Sequence, residues 1–278
     1  MTEPESENIK VRHKICLLGD PYVGKTSLIR KYVYNEFYEG YLSTIGIEVT
    51  KKDLTLEIED NNNNGNKNLN YDFGMTIWDI IGQKEFRVLI SKFYKNASGA
   101  LIISDLTRED TIQEIESWTS SIFTQIGKIP VIFVGNKTDL INPKTFDSEP
   151  LAELSTRYGA PWVLTSAKNG ENVENVFIML AKLIIQNSIY FKNMTSLIDV
   201  LDAIIVDFCE VNDGLEYGMP LFREEFKKIP GSSLKEPSRE VIEIAIDRLT
   251  AITGSKKGKE IAELQHNRFK RWLSKLNI

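Results

Sequence analysis

The sequence predicts an α/β fold, a mostly parallel sheet with one antiparallel edge strand and helices on both faces, followed by an all-α C-terminal part. Three observations carry this. Gly99–Asp105, Pro130–Asn136 and Pro161–Thr165 are continuous apolar runs, the composition of strands buried on both faces of a parallel sheet. Amphipathic segments at Thr26–Tyr34, Glu85–Lys95, Thr111–Ile126, Ser148–Tyr158 and Asn172–Gln186 alternate with the strands, as in a doubly wound sheet. Past residue 190 no strand alternation recurs.

Taken in order, residues 1–9 read as a disordered acidic tail with nothing to bury, and Lys10–Leu18 as a buried first strand. Lys51–Glu59 and Tyr71–Trp78 alternate with period two and suit an antiparallel hairpin at the sheet edge. The asparagine-rich tip Asn61–Asn66 between them offers left-handed turn residues and reads as a flexible extension. Residues 10–190 would form one domain and 191–278 a second. In the latter, Thr195–Val211 is apolar nearly all round and suits a central helix capped by Thr195 or Ser196. Gly214–Lys228, Pro237–Thr253 and Lys256–Leu276 follow as helices, parted by Pro230–Ser233 and by Gly254-Ser255.

Composition bounds the function. With 278 residues and 42% of them hydrophobic, the chain can fill one or two real cores. A net charge of −5 gives no global attraction to nucleic acid or anionic lipid, so no nucleic-acid partner is expected. Two cysteines, Cys16 inside a strand and Cys209, give no disulfide framework, which fits a reducing cytoplasm. Met1–Lys10 lacks the apolar core of a signal peptide, and no run is long enough to span a bilayer. The chain begins Met-Thr and ends without cysteine, so no lipid anchor is expected.

Gly19–Thr26, G-D-P-Y-V-G-K-T, follows the first strand and fits G-x-x-x-x-G-K-[ST]. Gly19 and Gly24 free the backbone to wrap N–H groups around phosphate oxygens. Lys25 can place its ammonium against the β- and γ-phosphates, and the Thr26 hydroxyl can ligate Mg²⁺. Tyr22, Val23 and Ser27, within or beside this loop, join the candidate nucleotide contacts. After the hairpin, Trp78–Gln83 offers Asp79 as a metal-site carboxylate, the Gly82 N–H for the γ-phosphate and Gln83 to orient an attacking water. Asn136-Lys137-Thr138-Asp139 follows a buried strand, where the Asp139 carboxylate can accept paired hydrogen bonds from the guanine N1–H and exocyclic amine. Adenine would leave those groups unpaired. Ser166-Ala167-Lys168 can complete the base pocket.

With these stretches in register, and with Tyr41–Glu48 between the first two, the chain resembles the small GTPases of the Ras superfamily, most closely the Rab branch. The likeness spans residues 10 to about 187 and implies a P-loop GTPase fold. It also implies that Thr44 joins Thr26 on Mg²⁺, that Phe37 packs beside the guanine and that Tyr41 covers the phosphates. The catalytic set is then Gln83, Lys25 and Thr44. The implied activity is slow hydrolysis of GTP to GDP and phosphate in a molecular switch of signalling or trafficking. Regulatory and effector proteins would bind Phe37–Glu48 and Trp78–Tyr94, and because Phe37–Thr44 carries no arginine, a partner would supply one.

Two residues depart from that pattern. Pro21 stands where family loops carry a small residue and removes one N–H from the loop, and Ile81 replaces the usual alanine before Gly82. These favour an alternative reading, a nucleotide-locked scaffold that binds GTP or GDP with little hydrolysis and acts through its helical extension. The extension lies outside the resemblance. Its last segment carries Lys256, Lys257, Lys259, Arg268, Lys270, Arg271 and Lys275 with Ile261, Leu264, Trp272, Leu273 and Leu276 at helical spacing. Such a face either rests on anionic lipid, as a peripheral membrane contact through Lys256–Ile278, or packs its apolar residues on Thr195–Val211 and leaves the charge solvated.

Overall fold

The computed structural model describes residues 8–38, 46–60, 67–80, 90–142 and 146–276. Six strands form one sheet: β1 (Ile9–Leu18), β2 (Ile47–Asp60), β3 (Lys67–Ile80), β4 (Ala97–Asp105), β5 (Val131–Asn136) and β6 (Trp162–Thr165), in the order β2-β3-β1-β4-β5-β6. β2 and β3 are the antiparallel pair, in register from Ile47 opposite Ile80 to Asp60 opposite Lys67, and every other pairing is parallel. β1 is enclosed only in its second half. Pairing with β4 starts at Lys14, and from there Ile15–Leu18 are buried between two neighbours, whereas Ile9 has β3 on one side and is 40% exposed. β5 is buried throughout, and β4 nearly so, which is why both read as unbroken apolar runs.

From β1 the chain crosses to the edge strand β2 and returns through β3 beside β1, and from β4 it moves the other way to β5 and β6. The strand order therefore reverses between β1 and β4, and the carboxyl ends of these two strands are where sheets of this kind place a ligand crevice. The helices α1 (Lys25–Tyr34), α2 (Glu109–Ile126), α3 (Glu149–Tyr158) and α4 (Val173–Lys192) connect or follow the parallel strands. The segment read as a helix at Glu85–Lys95 lies outside the described residues over 85–89. Of its described end, Ile90 is helical and Ser91–Tyr94 is a 3-10 turn, after which Asn96 takes a left-handed φ of 63° and β4 begins at the next residue. α4 continues to Lys192, beyond the Gln186 read from the pattern. The asparagine-rich tip and residues 1–7 of the acidic tail lie outside the described residues.

Contacts divide the chain into two units, Met1–Ser121 with Ile129–Asn187, and Ile122–Lys128 with Ser188–Ile278. In the second, α5 (Leu197–Val211), α6 (Leu215–Lys227), α7 (Arg239–Lys257) and α8 (Lys259–Ser274) surround a core that includes Ile204, Phe208, Phe222, Ile242, Ile246 and Phe269. Ser196, not Thr195, caps α5. Its side chain accepts from the Asp199 N–H, and the Asp199 carboxylate accepts from the Ser196 N–H at 2.8 Å, a closed capping box. Ser238 caps α7 in the same way, from the Val241 N–H. The break expected at Gly254-Ser255 falls instead at Gly258. Gly254 stays helical, and the turn needs the left-handed φ of 101° that Gly258 supplies.

The apolar side of α8 is turned inward. Trp272, Leu273 and Leu276 are buried in the helical core and Ile261 and Leu264 are half-buried. Of the basic groups in this segment, Arg268 of α8 forms a fork on the buried Asp207 carboxylate (2.7 and 2.8 Å), Lys257 at the end of α7 pairs with Asp213 at 2.6 Å, and Lys275 just past α8 lies 5.5 Å from the Phe191 ring centre. Gln265 also donates to Asp207 at 3.0 Å and accepts from Thr253 at 2.7 Å, so it links the Asp207 carboxylate to the Thr253 hydroxyl inside this core. Among the described residues no helix is long and apolar enough to cross a membrane.

Candidate functional site

The loop between β1 and α1 curls at the mouth of the crevice. Gly19 lies against β4, where a Cβ would meet the Ile103 carbonyl oxygen at 2.1 Å. Gly24 takes a φ of 101°, and a Cβ on it would meet the Asn136 amide nitrogen at 2.2 Å. Only glycine lets both backbones come so close. Lys25, at the start of α1, is 6% exposed and folds back over the loop, donating to the Gly19 and Asp20 carbonyl oxygens at 2.8 and 2.9 Å. Burial pushes its ammonium down to about 8, against the opposing pull of Asp79 and Asp20. A buried cation whose bonds are to loop carbonyls is poised to exchange them for phosphate oxygens. Val23 is buried under the loop, Tyr22 is 55% exposed, and Ser27 is half-buried in the first turn of α1.

Asn136, the last residue of β5, joins three loops. Its amide nitrogen donates to the Val23 carbonyl at 2.9 Å, and its amide oxygen accepts from the Thr165 hydroxyl at 3.1 Å and the Ala167 N–H at 3.2 Å. The loop after β1, the loop after β5 and the loop after β6 are thereby held in one register. Lys137 takes a left-handed φ of 74° and leads into a 3-10 turn, Thr138–Leu140, that carries Asp139 to the surface. The Ser166 hydroxyl donates to the Asp139 carboxylate and accepts the Lys168 N–H at 3.2 Å, so the segment read as the second wall of a base pocket turns around the carboxylate.

At the other side of the cradle the Thr26 hydroxyl bonds directly to the Asp79 carboxylate, at the carboxyl end of β3. A hydroxyl and a buried carboxylate, both hard oxygen donors beside the glycine-bent loop, fit the chemistry of Mg²⁺, which is held by few protein oxygens together with substrate phosphates. Phe37 is described and 36% exposed. Tyr41, Thr44, Ile81, Gly82 and Gln83 lie outside the described residues.

Three residues at this mouth were not singled out from the sequence. Asp105 ends β4 with its side chain 2% exposed, accepting from Lys137 at 2.6 Å, Arg108 at 3.1 Å, and the Thr107 N–H and hydroxyl at 3.0 and 2.7 Å. Burial pushes this carboxyl up, but the bonds from Lys137 and Thr107 outweigh it and hold it below its ordinary value. Arg108 also donates to the Pro21 carbonyl at 2.8 Å. Trp118, buried in α2, donates its indole N–H to the Asp20 carboxylate at 2.8 Å. Asp105 had a signal in the sequence, a carboxylate closing an otherwise apolar strand. Arg108 and Trp118 had none.

A doubly wound sheet, a glycine-bent loop with a buried lysine at a helix N-terminus, and a hydroxyl–carboxylate pair beside it define a P-loop nucleotide-binding protein. Comparison with known proteins narrows the class. The Ras family model matches residues 14–186. The chain is 34% identical over 170 residues to Ras-related protein Rab-1D of Dictyostelium discoideum, covering 61% of this chain and 78% of that protein. It is 33% identical over 194 residues to Ras-related protein Rab-19 of Homo sapiens, covering 69% and 84% respectively. To Ras-related protein RABA4b of Arabidopsis thaliana it is 32% identical over 184 residues, 66% of this chain and 76% of that protein. The chain belongs to the Ras family and is a Rab-like small GTPase.

Proposed function

We propose that this chain is a guanine-nucleotide switch that binds GTP and GDP with Mg²⁺ and slowly hydrolyses GTP to GDP and phosphate. The observation that carries the reading is the reach of Asn136, which binds the phosphate loop and the Ser166–Lys168 loop at once and so sets phosphate-binding and base-binding elements at a fixed separation.

Lys25 holds the β- and γ-phosphates, exchanging its carbonyl partners for phosphate oxygens, and the loop amides add hydrogen bonds to the charge that develops on the bridging and γ-oxygens. The Asp139 carboxylate selects guanine by accepting from the base's N1–H and exocyclic amine, with Phe37 beside the ring and Lys137, Ala167 and Lys168 around it. Thr26 and Asp79, with Thr44, would hold Mg²⁺, which when bound would neutralise phosphate charge. Tyr41 covers the phosphates, the Gly82 N–H bonds the γ-phosphate, and Gln83 orients the attacking water. Regulators and effectors bind Phe37–Glu48 and Trp78–Tyr94, and the protein works in the cytoplasm. The α8 segment serves as a wall of the helical core rather than as a lipid-seeking face, since Phe269, Trp272 and Leu273 are buried in that core.

Phosphate release from GTP by the purified chain tests the activity. Turnover that falls at least tenfold in Gln83→Leu is expected, and a rate equal to that of the variant rejects hydrolysis through Gln83. Asp139→Asn tests the base assignment: preference moves toward xanthine nucleotides, and unchanged guanine selectivity rejects it.

A further inference from the structure

We propose that Arg108 is a positioning residue of the nucleotide site, holding the phosphate loop in its binding shape by gripping the Pro21 carbonyl from a base at Asp105, and that this grip sets how fast nucleotide leaves. The inference rests on guanine-nucleotide binding at this loop.

The loop contains a conformational problem that its sequence creates. Tyr22 has a left-handed φ of 64°, a region in which a bulky side chain is costly and glycine is at ease. Pro21 before it has no N–H with which to fasten the loop. Its carbonyl oxygen accepts from Arg108 Nη2 at 2.8 Å. In a planar trans peptide the carbonyl and the following N–H point in opposite directions. Fixing the Pro21 oxygen therefore fixes the direction of the Tyr22 N–H, one of the amides available to a phosphate.

Arg108 is able to hold because its other end is anchored. Its Nε donates to Asp105, whose carboxylate is 2% exposed and also bonded by Thr107 and by Lys137 of the loop after β5. The guanidinium fork spans the two acceptors at once, which a single ammonium cannot do with the same geometry. The same carboxylate thus steadies Lys137 on the base side and Arg108 on the phosphate side.

The test is release of fluorescently labelled GDP from the full-length chain in Mg²⁺, chased with unlabelled GDP, with circular dichroism confirming that each variant is folded. Arg108→Ala is expected to release GDP about tenfold faster than the parent, the effect of losing the charge-assisted bond that reaches the loop at Pro21. Arg108→Lys should fall between the two. The double variant Arg108→Ala/Tyr22→Gly should recover most of the retention, because glycine takes the left-handed conformation without help. A residue of purely structural value elsewhere in the fold would not be rescued at Tyr22. Release from Arg108→Ala within twofold of the parent overturns the proposal, as does a double variant no slower than the single one. Should Arg108→Ala not fold, Arg108→Lys decides alone: faster release than the parent supports the grip and parental release overturns it. If the parent chain takes up no labelled GDP, the nucleotide-binding reading itself falls, and the proposal falls with it.

Discussion

Replacing Asn136 with alanine tests whether one side chain holds three loops together. The substitution leaves the Val23 carbonyl without its donor at 2.9 Å and takes the acceptor from the Thr165 hydroxyl (3.1 Å) and the Ala167 N–H (3.2 Å). Asn136 is 1% exposed, so water does not readily replace these bonds. At about 1 kcal/mol for each bond lost, the change costs about 3 kcal/mol. Were all of it expressed in the nucleotide-bound state, affinity would fall by about two decades. Asn136→Asp keeps the shape but turns an oxygen toward the Val23 oxygen, so it should do no better. Urea unfolding of the GDP-loaded chain and the release rate of labelled GDP measure the two consequences. A stability loss below about 1 kcal/mol, within the range of a single hydrogen bond, together with release within threefold of the parent, would refute the view that this side chain coordinates the loops.

Further outcomes follow from the same geometry. Burial holds Lys25 at about 8 in the empty loop, and phosphate favours its charged form, so nucleotide binding takes up protons: about half a proton per nucleotide at pH 8 and about a tenth at pH 7. Calorimetry in buffers of different ionisation enthalpy reads this uptake, and a pH-independent heat difference would deny it. Because the folded value lies below the ordinary 10.5, the unfolded chain binds more protons between the two, so the empty protein should gain stability as pH rises from about 8 toward 10.5. In the helical unit, Asp207→Ala strands the Arg268 fork and the Gln265 amide, and a loss of about 3–5 kcal/mol in chemical unfolding is expected. Phe222→Ala, from a ring 1% exposed and stacked on Phe226, should cost about 3–5 kcal/mol, and a loss below 1 kcal/mol in either variant would contradict the packing described.

The sheet was legible because its signals are local: β4 and β5 are apolar along their whole length, and β2 and β3 alternate by turns. The turns after β1, β5 and β6 were legible as loops for a related reason, each being a few residues of fixed spacing at a strand end. What escaped depends on distance along the chain. Arg108 reaches Pro21 across 87 positions and Trp118 reaches Asp20 across 98, and no pattern in the sequence links either pair. In the helical unit the number and order of helices followed from periodicity, yet the break at Gly258 rather than Gly254-Ser255 did not. Both places offer a glycine, and the choice is made by where α7 and α8 pack. The basic, amphipathic α8 shows the same limit, since one pattern serves a lipid surface and a protein core equally well, and its neighbours decide.

The most direct measurement is titration calorimetry of the purified chain with GDP, GTP, ADP and ATP in the presence of Mg²⁺. Uptake of one guanine nucleotide per chain, with adenine nucleotides bound at least a hundredfold more weakly, is the expected result. No heat with any of the four, or equal affinity for guanine and adenine, would contradict a site in which Lys25 meets the phosphates and Asp139 meets the base.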